Sequence, residues 1–487
     1  MRFLIRGCLS AVAAVVVSAA SQARDLTLGQ ALEMAVSRTA RGSVIRGNLE
    51  VAEQHYFAKR VNFYVPEIKL EGSLPSYSED KSYRGVFGFK GRGLYTSTDF
   101  GLTSDISLKQ SLIFGGDFTM RANLTKRDEK YPDSDTLGNL IYPISYTKQG
   151  SFSFSYAQPL LKPSESKYQL HNRKDDYEIA RFTRIEEEAK LKKEVVEAYA
   201  GVLQTELRSD LAKVQFESSR LKTSVDSVKL ADGVIAEEKF LETSSLKLDN
   251  ELNHFDMENQ LAEKRRQMAI LLDLEASDTL RFFMPETLTV LDDATRRSLQ
   301  ENWSSTIAIR KAEYQYKKAK RAADYAASAH GLSGGLAANY SFGRGRVDVD
   351  GTALPDINTN SWTVALNFTF PIWDGGASGA TVKAARLVEE SARLEFEKAR
   401  KAAKAGIESL LNRLDVSHRK LAVIRQQIML ARNKLDIAQK RFDNGEISDV
   451  TFLDARIFYL QSKDKYLDEL RNFLVTRLDL DSKFLVQ

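Results

Sequence analysis

The 487-residue chain contains a single cysteine, Cys8. It lies in the N-terminal segment MRFLIRGCLSAVAAVVVSAASQA, which reads as a secretory signal peptide over residues 1–23. Arg2 and Arg6 supply the positive end, Leu9 to Ala20 the short apolar run, and Ser21-Gln22-Ala23 a small-x-small cleavage site. The run is too short to span a bilayer. Cys8 precedes that run and follows Arg6-Gly7, which is a poor lipid-attachment context. Loss of the segment would remove the cysteine and two arginines, and take the formal charge from +4 to about +2. The exported chain would then have no disulfide, so packing or assembly must hold it together.

Other absences exclude further classes. Beyond the signal there is no run of about 18 apolar residues, so no helix should cross a membrane. A β-barrel crossing stays open, because each strand of a barrel carries only a weak signal. The 70 basic and 66 acidic residues are too nearly balanced to argue for a nucleic-acid partner. The five histidines (His55, His171, His254, His330, His418) are scattered without ligand spacing. Asp348-Val-Asp350-Gly351 has its glycine misplaced for a calcium loop and no closing glutamate, so it reads as a turn. No nucleophile elbow or phosphate loop occurs. Neither an enzyme nor a cofactor is expected.

Proline and glycine are absent over long stretches. No proline lies between 164 and 284 or beyond Pro371. From 164 to 284 the only glycines are Gly201 and Gly233; beyond Gly379 only Gly406 and Gly445 remain. Two regions without breakers, each interrupted once near its middle, predict two long helical hairpins. Heptads run through them. Ala200, Leu207, Val214, Leu221 and Val228 recur every seven residues, as do Ile407, Leu414, Leu421, Ile428, Leu435 and Phe442, and then Leu453, Leu460, Leu467 and Leu474. A sustained seven-residue repeat implies a left-handed coiled coil. Each first arm has roughly 60 residues and should be about 90 Å long.

The interruptions match each other. ADGVIAEEKFLETS around Gly233 aligns with DNGEISDVTFLDAR around Gly445, 212 residues later. Ile235 meets Ile447, Glu237 meets Asp449, Phe240 meets Phe452 and Leu241 meets Leu453. Pro159 and Pro371 keep the same 212-residue spacing, each following an alternating segment, Ser151–Ala157 and Ser361–Phe370. An internal duplication is expected, with a first repeat over 24–284 and a second over 285–487. Further strands are expected at Glu67–Leu74, paired across the connection 75–150 with the strand before Pro159, and at 336–342, paired with 361–370. The long connection 75–150 contains a candidate extra hairpin around Gly115-Gly116. It could widen a barrel or lie outside one.

These residues resemble the TolC family of outer-membrane efflux proteins. The resemblance rests on Leu26-Thr-Leu-Gly-Gln-Ala-Leu32, Gln158-Pro-Leu-Leu161, Phe370-Pro-Ile-Trp-Asp-Gly-Gly376 and the tip motif Arg441–Ala455, in that order. It implies an α+β membrane protein: a homotrimer sharing one outer-membrane β-barrel, to which each copy gives two strand pairs, continuous with a periplasmic barrel of coiled-coil helices. It also implies outer-membrane lipid around the barrel, a periplasmic adaptor at the tips, and an inner-membrane pump reached through that adaptor. The function implied is a passive conduit for efflux or type I secretion. The alternative from another class is a periplasmic coiled-coil adaptor or scaffold without a barrel.

Gly233 and Gly445 suit chain reversals that need positive φ. Ile235, Phe240, Leu241, Ile447, Phe452 and Leu453 are candidates for packing at the tips or for docking the adaptor. The family narrows its entrance with two acidic residues three apart on the second hairpin; the matching positions here are Thr451 and Asp454. Only Asp454 can contribute charge, with Asp449 nearby. The family's closing Tyr and Arg positions carry Phe442 and Ile447, and a facing acidic position carries Lys239. Closure would then differ, with Lys239 meeting Asp449 or Asp454.

Overall fold

A computed structural model describes residues 24–72, 76–85, 92–113, 115–130, 133–137, 139–161, 164–275, 280–283, 292–330, 332–350, 352–370 and 372–484. The signal segment 1–23 and Pro371 lie outside them. The chain opens with β1 (Arg24–Leu26), α1 (Leu28–Ser37) and α2 (Ala40–Tyr64). Seven strands follow: β2 (Glu67–Gly72), β3 (Ser76–Gly85), β4 (Arg92–Ser111), β5 (Asp117–Lys130), β6 (Asp133–Ser134), β7 (Leu140–Ile141) and β8 (Ile144–Pro159). Helices α3 (Glu165–Ala231) and α4 (Glu237–Leu271) lead to β9 (Leu280–Phe282), α5 (Asp293–Glu301) and α6 (Ile307–Ala329). Strands β10 (Ser333–Val349), β11 (Thr352–Ala353) and β12 (Ile357–Thr369) precede α7 (Ala377–Asp443) and α8 (Asp449–Asp481). Helices α3 and α7 have 67 residues each, and both start and end at the 212-residue spacing seen in the sequence. The chain divides into two compact units: 1–47, 184–307 and 403–487 form one, 48–183 and 308–402 the other.

The first unit is helical, built on the heptads. Ile407, Leu414 and Leu421 of α7 are buried with Leu467, Leu470 and Phe473 of α8. Val214 of α3 is buried with Leu453 and Leu460 of α8. A third cluster joins Leu26, Ala31, Met34, Leu191, Val195, Tyr199 and Met268. Two local devices set up this third core. Thr27 caps α1, accepting from the Gln30 amide at 3.3 Å, while the Gln30 side chain accepts from the Thr27 amide at 3.0 Å. The Tyr199 hydroxyl donates to the Leu26 carbonyl at 2.8 Å and accepts from the Phe283 amide at 2.9 Å. It so fastens the parallel pair β1–β9 against α3.

The second unit carries an antiparallel sheet. Its strand path is β12–β10–β8–β5–β4, with β2 and β3 both on the far side of β4 as one interrupted strand. Here the structure departs from expectation. Of the strand expected at Glu67–Leu74, the described part, β2, does not pair with the strand before Pro159, because β4 and β5 stand between them. The expected hairpin around Gly115-Gly116 is longer than its sequence suggested and lies within the sheet. Two strand pairs per chain thus become three. The reason is local: Gly115 takes φ +100°, where side chains are strained, and a Cβ on Gly116 would stand 3.1 Å from the backbone carbonyl of Ala157 on β8. Only glycine lets this turn reverse so close to β8.

Helices pack below the sheet within the same unit. Tyr168 of α3 stacks on Tyr325 of α6 at 4.4 Å. Arg321 of α6 donates to Asp175 at 2.8 Å and Asn172 at 2.7 Å on α3, which satisfies the otherwise buried Asp175. Among the described residues, no helix is long and apolar enough to cross a membrane.

Candidate functional site

Both hairpin tips lie in the helical unit and have the same backbone. At the first, the Gly233 amide donates to Leu230 O at 3.0 Å and the Val234 amide to Lys229 O at 2.7 Å. At the second, the Gly445 amide donates to Phe442 O at 2.9 Å and the Glu446 amide to Arg441 O at 2.8 Å. This is the paired Schellman ending, and it requires a left-handed residue at the cap. Gly233 has φ +69° and Gly445 φ +73°. Ile235 and Ile447 follow, half-buried at equivalent places.

The side chains make the tips unequal. At the second tip Ser448 caps α8, accepting from the Thr451 amide at 3.4 Å, and the Thr451 hydroxyl lies 3.1 Å from that of Ser448. Asp449 occupies the first turn, where a carboxylate suits the helix N-terminus. Arg441 and Glu446 clasp the reversal at 3.1 Å, and Phe442 stacks on Phe452 at 5.2 Å. Leu453 is buried against α3. At the first tip Ala236 provides no side-chain cap. Phe240 is half-buried and Leu241 is 58% exposed.

The charges fall into separate pairs. Asp454 Oδ1 accepts from Lys222 Nζ of α3 at 3.3 Å, and both side chains are solvent-exposed. Lys239 does not reach Asp449 or Asp454 within the chain. It donates to Glu242 at 2.6 Å, three residues on along the same helix face. That bond is the main cause holding the Lys239 ammonium above its ordinary pKa of 10.5. Among the described residues, no group of three or more His, Cys, Asp or Glu could hold a metal ion. Asp350 ties its turn to β8 by accepting from the Ile144 amide at 2.9 Å.

The heptad reading missed a second feature. Val416, Val423, Leu430 and Ile437 recur every seven residues along α7, and every one is at least 51% exposed. On α4, Leu241, Leu248 and Phe255 do the same. Each is a coiled-coil seam without a helix on it. Their spacing was present in the sequence, but on α7 the buried stripe of Leu414 and Leu421, two residues away, carries the same pattern.

In the sheet unit, Pro159 ends β8 five residues short of α3 proper. At the other junction Asp374 accepts from the amides of Gly376 (2.9 Å) and Ser378 (2.8 Å) and opens α7. The register sorts side chains by face. Ile106 (β4) stands opposite Ala122 (β5), Ala122 opposite Phe152 (β8), Phe152 opposite Phe342 (β10). Leu336 on β10 stands opposite Leu366 on β12. The neighbouring rows on the other face read Ser107, Arg121, Ser153, Ser341 and Ser361. One face carries an apolar band from strand to strand, bordered by the row Lys126, Lys148 and Arg346; the other face is polar.

Comparison with known proteins agrees with this architecture. Residues 299–482 match the family model described as "Outer membrane efflux protein". Outer membrane protein TolC of Escherichia coli (strain K12) is 26% identical over 132 residues, which is 27% of this chain and 27% of that protein. The aligned segment thus spans about a quarter of the curated relative's length. Among solved structures, the Campylobacter jejuni CmeC outer membrane channel superposes with a TM-score of 0.61 at 13% identity, covering 93% of this chain and 84% of CmeC. The outer membrane protein VceC of Vibrio cholerae superposes with a TM-score of 0.58 at 11% identity, covering 93% and 94%. At such identities the structures speak for the fold alone. Residues 299–482 are thus similar to outer membrane efflux proteins, and the fold of the chain is that of outer-membrane efflux channels.

Proposed function

We propose that this protein is a subunit of a passive outer-membrane channel-tunnel, serving a tripartite efflux pump or a type I secretion system. The observation that carries the reading is the two-faced sheet. An apolar face continuous across the strands fits the acyl layer of a bilayer, and the polar face opposite fits an aqueous lumen. Three copies close the barrel through their free strand edges, β12 of one against β2–β3 of the next. The same assembly covers the exposed seams, α7 of one copy receiving α4 of its neighbour. The two repeats, 24–284 and 285–487, give a trimer six similar hairpins.

The tips around Gly233 and Gly445 then form the inner end of the tunnel and dock the hairpins of a periplasmic adaptor, which links the conduit to its inner-membrane pump. Asp454, together with Lys222, lines the entrance, and Asp449 and Thr451 shape the first turn of the helix beside it. Energy comes from the pump. A periplasmic adaptor or scaffold is disfavoured, since a sheet of this size with a broad exposed apolar band across its strands has no use in water. Outer-membrane fractionation, heat-modifiable migration and mass in mild detergent test the proposal. A water-soluble monomer that migrates identically with and without heating would overturn it.

A further inference from the structure

Resting on the trimeric-barrel reading above, we infer that the β4–β5 hairpin is part of the membrane wall, so that each copy supplies six strands and three copies close a barrel of about 18 strands. Three observations place it there. First, the hairpin is bonded on both sides along its length. β4 pairs with β2 and β3 over Glu67–Gly72 and Ser76–Gly85, and β5 pairs with β8 from Asp117–Ala157 through Lys130–Ile144. A plug or an external flap would leave β8 free to pair directly with β2.

Second, the hairpin carries the apolar band in phase. Leu102, Ile106 and Leu108 of β4 and Phe118, Met120, Ala122 and Leu124 of β5 fall on the same face as Ile68 and Leu70, Phe152 and Phe154, and Trp362, Val364, Leu366 and Phe368. Phe154 touches Phe118 on one side at 6.5 Å and Tyr340 on the other at 6.3 Å, so the aromatic row runs from β10 through β8 onto β5 of the insertion. Leu124 at 66% and Ile106 at 52% exposure have no protein cover within the chain, as have Leu70 at 73% and Trp362 at 76%. The occupant that suits such a face on every strand alike is lipid.

Third, the opposite face of the hairpin is polar and internally bonded. Asn123 donates to Asp105 across the strand pair at 2.6 Å, and Thr125 donates to Asn123 at 2.8 Å. Ser107, Lys109, Thr119 and Arg121 complete that face. These groups need water, and a lumen provides it.

A hairpin adds two strands, which leaves the direction of every later strand unchanged. β2–β3 and β8 are therefore antiparallel with the insertion and would be antiparallel without it. Barrel diameter grows roughly in proportion to strand number, so ~18 strands give a lumen about 1.5 times as wide as the ~12 of an uninserted trimer, in the range of open aqueous barrels.

The test uses the full-length trimer and a variant lacking residues 92–130. A single nitroxide at Thr363→Cys, on the lumen face of β12, reports the distance between copies. The expected distance in the full chain is about 1.5 times that in the deletion variant. Nitroxides at Ile106→Cys and Ala122→Cys should be relaxed by oxygen and shielded from a water-soluble relaxant; those at Ser107→Cys and Arg121→Cys should behave oppositely. These accessibilities are read in the full chain and stand even if the deletion variant fails to insert. A trimer whose four hairpin labels all meet the aqueous relaxant, or whose distance is unchanged by the deletion, overturns the inference while leaving the channel intact. A monomer by mass, with no distance between copies, overturns the trimer itself and the strand count with it.

Discussion

Lys222 and Asp454 meet at 3.3 Å although 232 residues separate them, joining the second tip's helix to the long first helix. Both are exposed, so the pair contributes no more than about 1 kcal/mol to stability. Its importance is the charge it presents. In the proposed trimer an entrance lined by Asp454 alone would be a ring of carboxylates; with Lys222 beside each, it would be a ring of ion pairs.

Asp454→Ala should therefore shift ion selectivity toward anions and weaken block by multivalent cations, and Lys222→Met should do the reverse. The double variant should return near the wild type. Thermal stability should move by less than about 1 kcal/mol in each. Planar-bilayer reversal potentials decide it: unchanged selectivity in both single variants would place the pair outside the conducting path.

Gly445→Val should disable the second tip. No atom stands within 4 Å of where its Cβ would lie, so the cost is one of backbone conformation rather than collision. At φ +73° a β-branched residue loses about 1–3 kcal/mol. Gly445→Asn should be tolerated much better, since asparagine takes the left-handed region more readily. Cross-linking to the adaptor in cells should fall for valine and persist for asparagine. Equal cross-linking in both would remove the tip from the docking surface.

Leu430→Asp should prevent assembly without unfolding the chain. Leu430 is 64% exposed in the subunit, on the seven-residue stripe of α7. A charge there costs the isolated subunit little, but it would be buried unpaired in a trimer at several kcal/mol per copy. Mass in mild detergent should shift toward the monomer while helical circular dichroism is kept. A stable trimer would leave α4 and α7 without the proposed contact.

Tyr199→Phe should destabilise the helical unit by about 1–3 kcal/mol, because the Leu26 carbonyl and the Phe283 amide lose their buried partner. Burial raises the Tyr199 hydroxyl above its ordinary pKa of 10.0, and the hydrogen bond to Phe283 opposes this. The unfolded chain thus ionises first. The stabilisation is complete below pH 10 and is lost as the pH rises from there toward the higher folded value. Urea midpoints between pH 8 and 11 should show this decline in the wild type and a shallower one in Tyr199→Phe. Parallel declines would assign the effect to other groups.

What could be read from the sequence was local. The ends of α3 and α7 follow from the scarcity of breakers, and the reversals at Gly233 and Gly445 from single residues that can take positive φ. The buried stripe of Ile407, Leu414 and Leu421 follows from period alone. What escaped depended on partners distant in the chain. The order β2–β4–β5–β8 is a choice among pairings that alternation cannot rank, since each of these strands alternates alike. Lys222 gave no sign of meeting Asp454. Phe442 and Phe452 are legible as apolar tip residues, yet their stacking requires the reversal to be built first. The stripe through Leu430 was hidden by its own resemblance to a core.

The hairpin's even strand count has a consequence for how such a chain can change. A single added strand would invert everything downstream and send α3 out from the wrong side of the sheet. A pair adds girth and returns the chain to the point it left, at β8 and the start of α3. In the proposed barrel, circumference and reach would therefore be independent variables: the sheet can be let out at Gly115-Gly116 while the 67-residue helices, and the reversals at their ends, stay as they are.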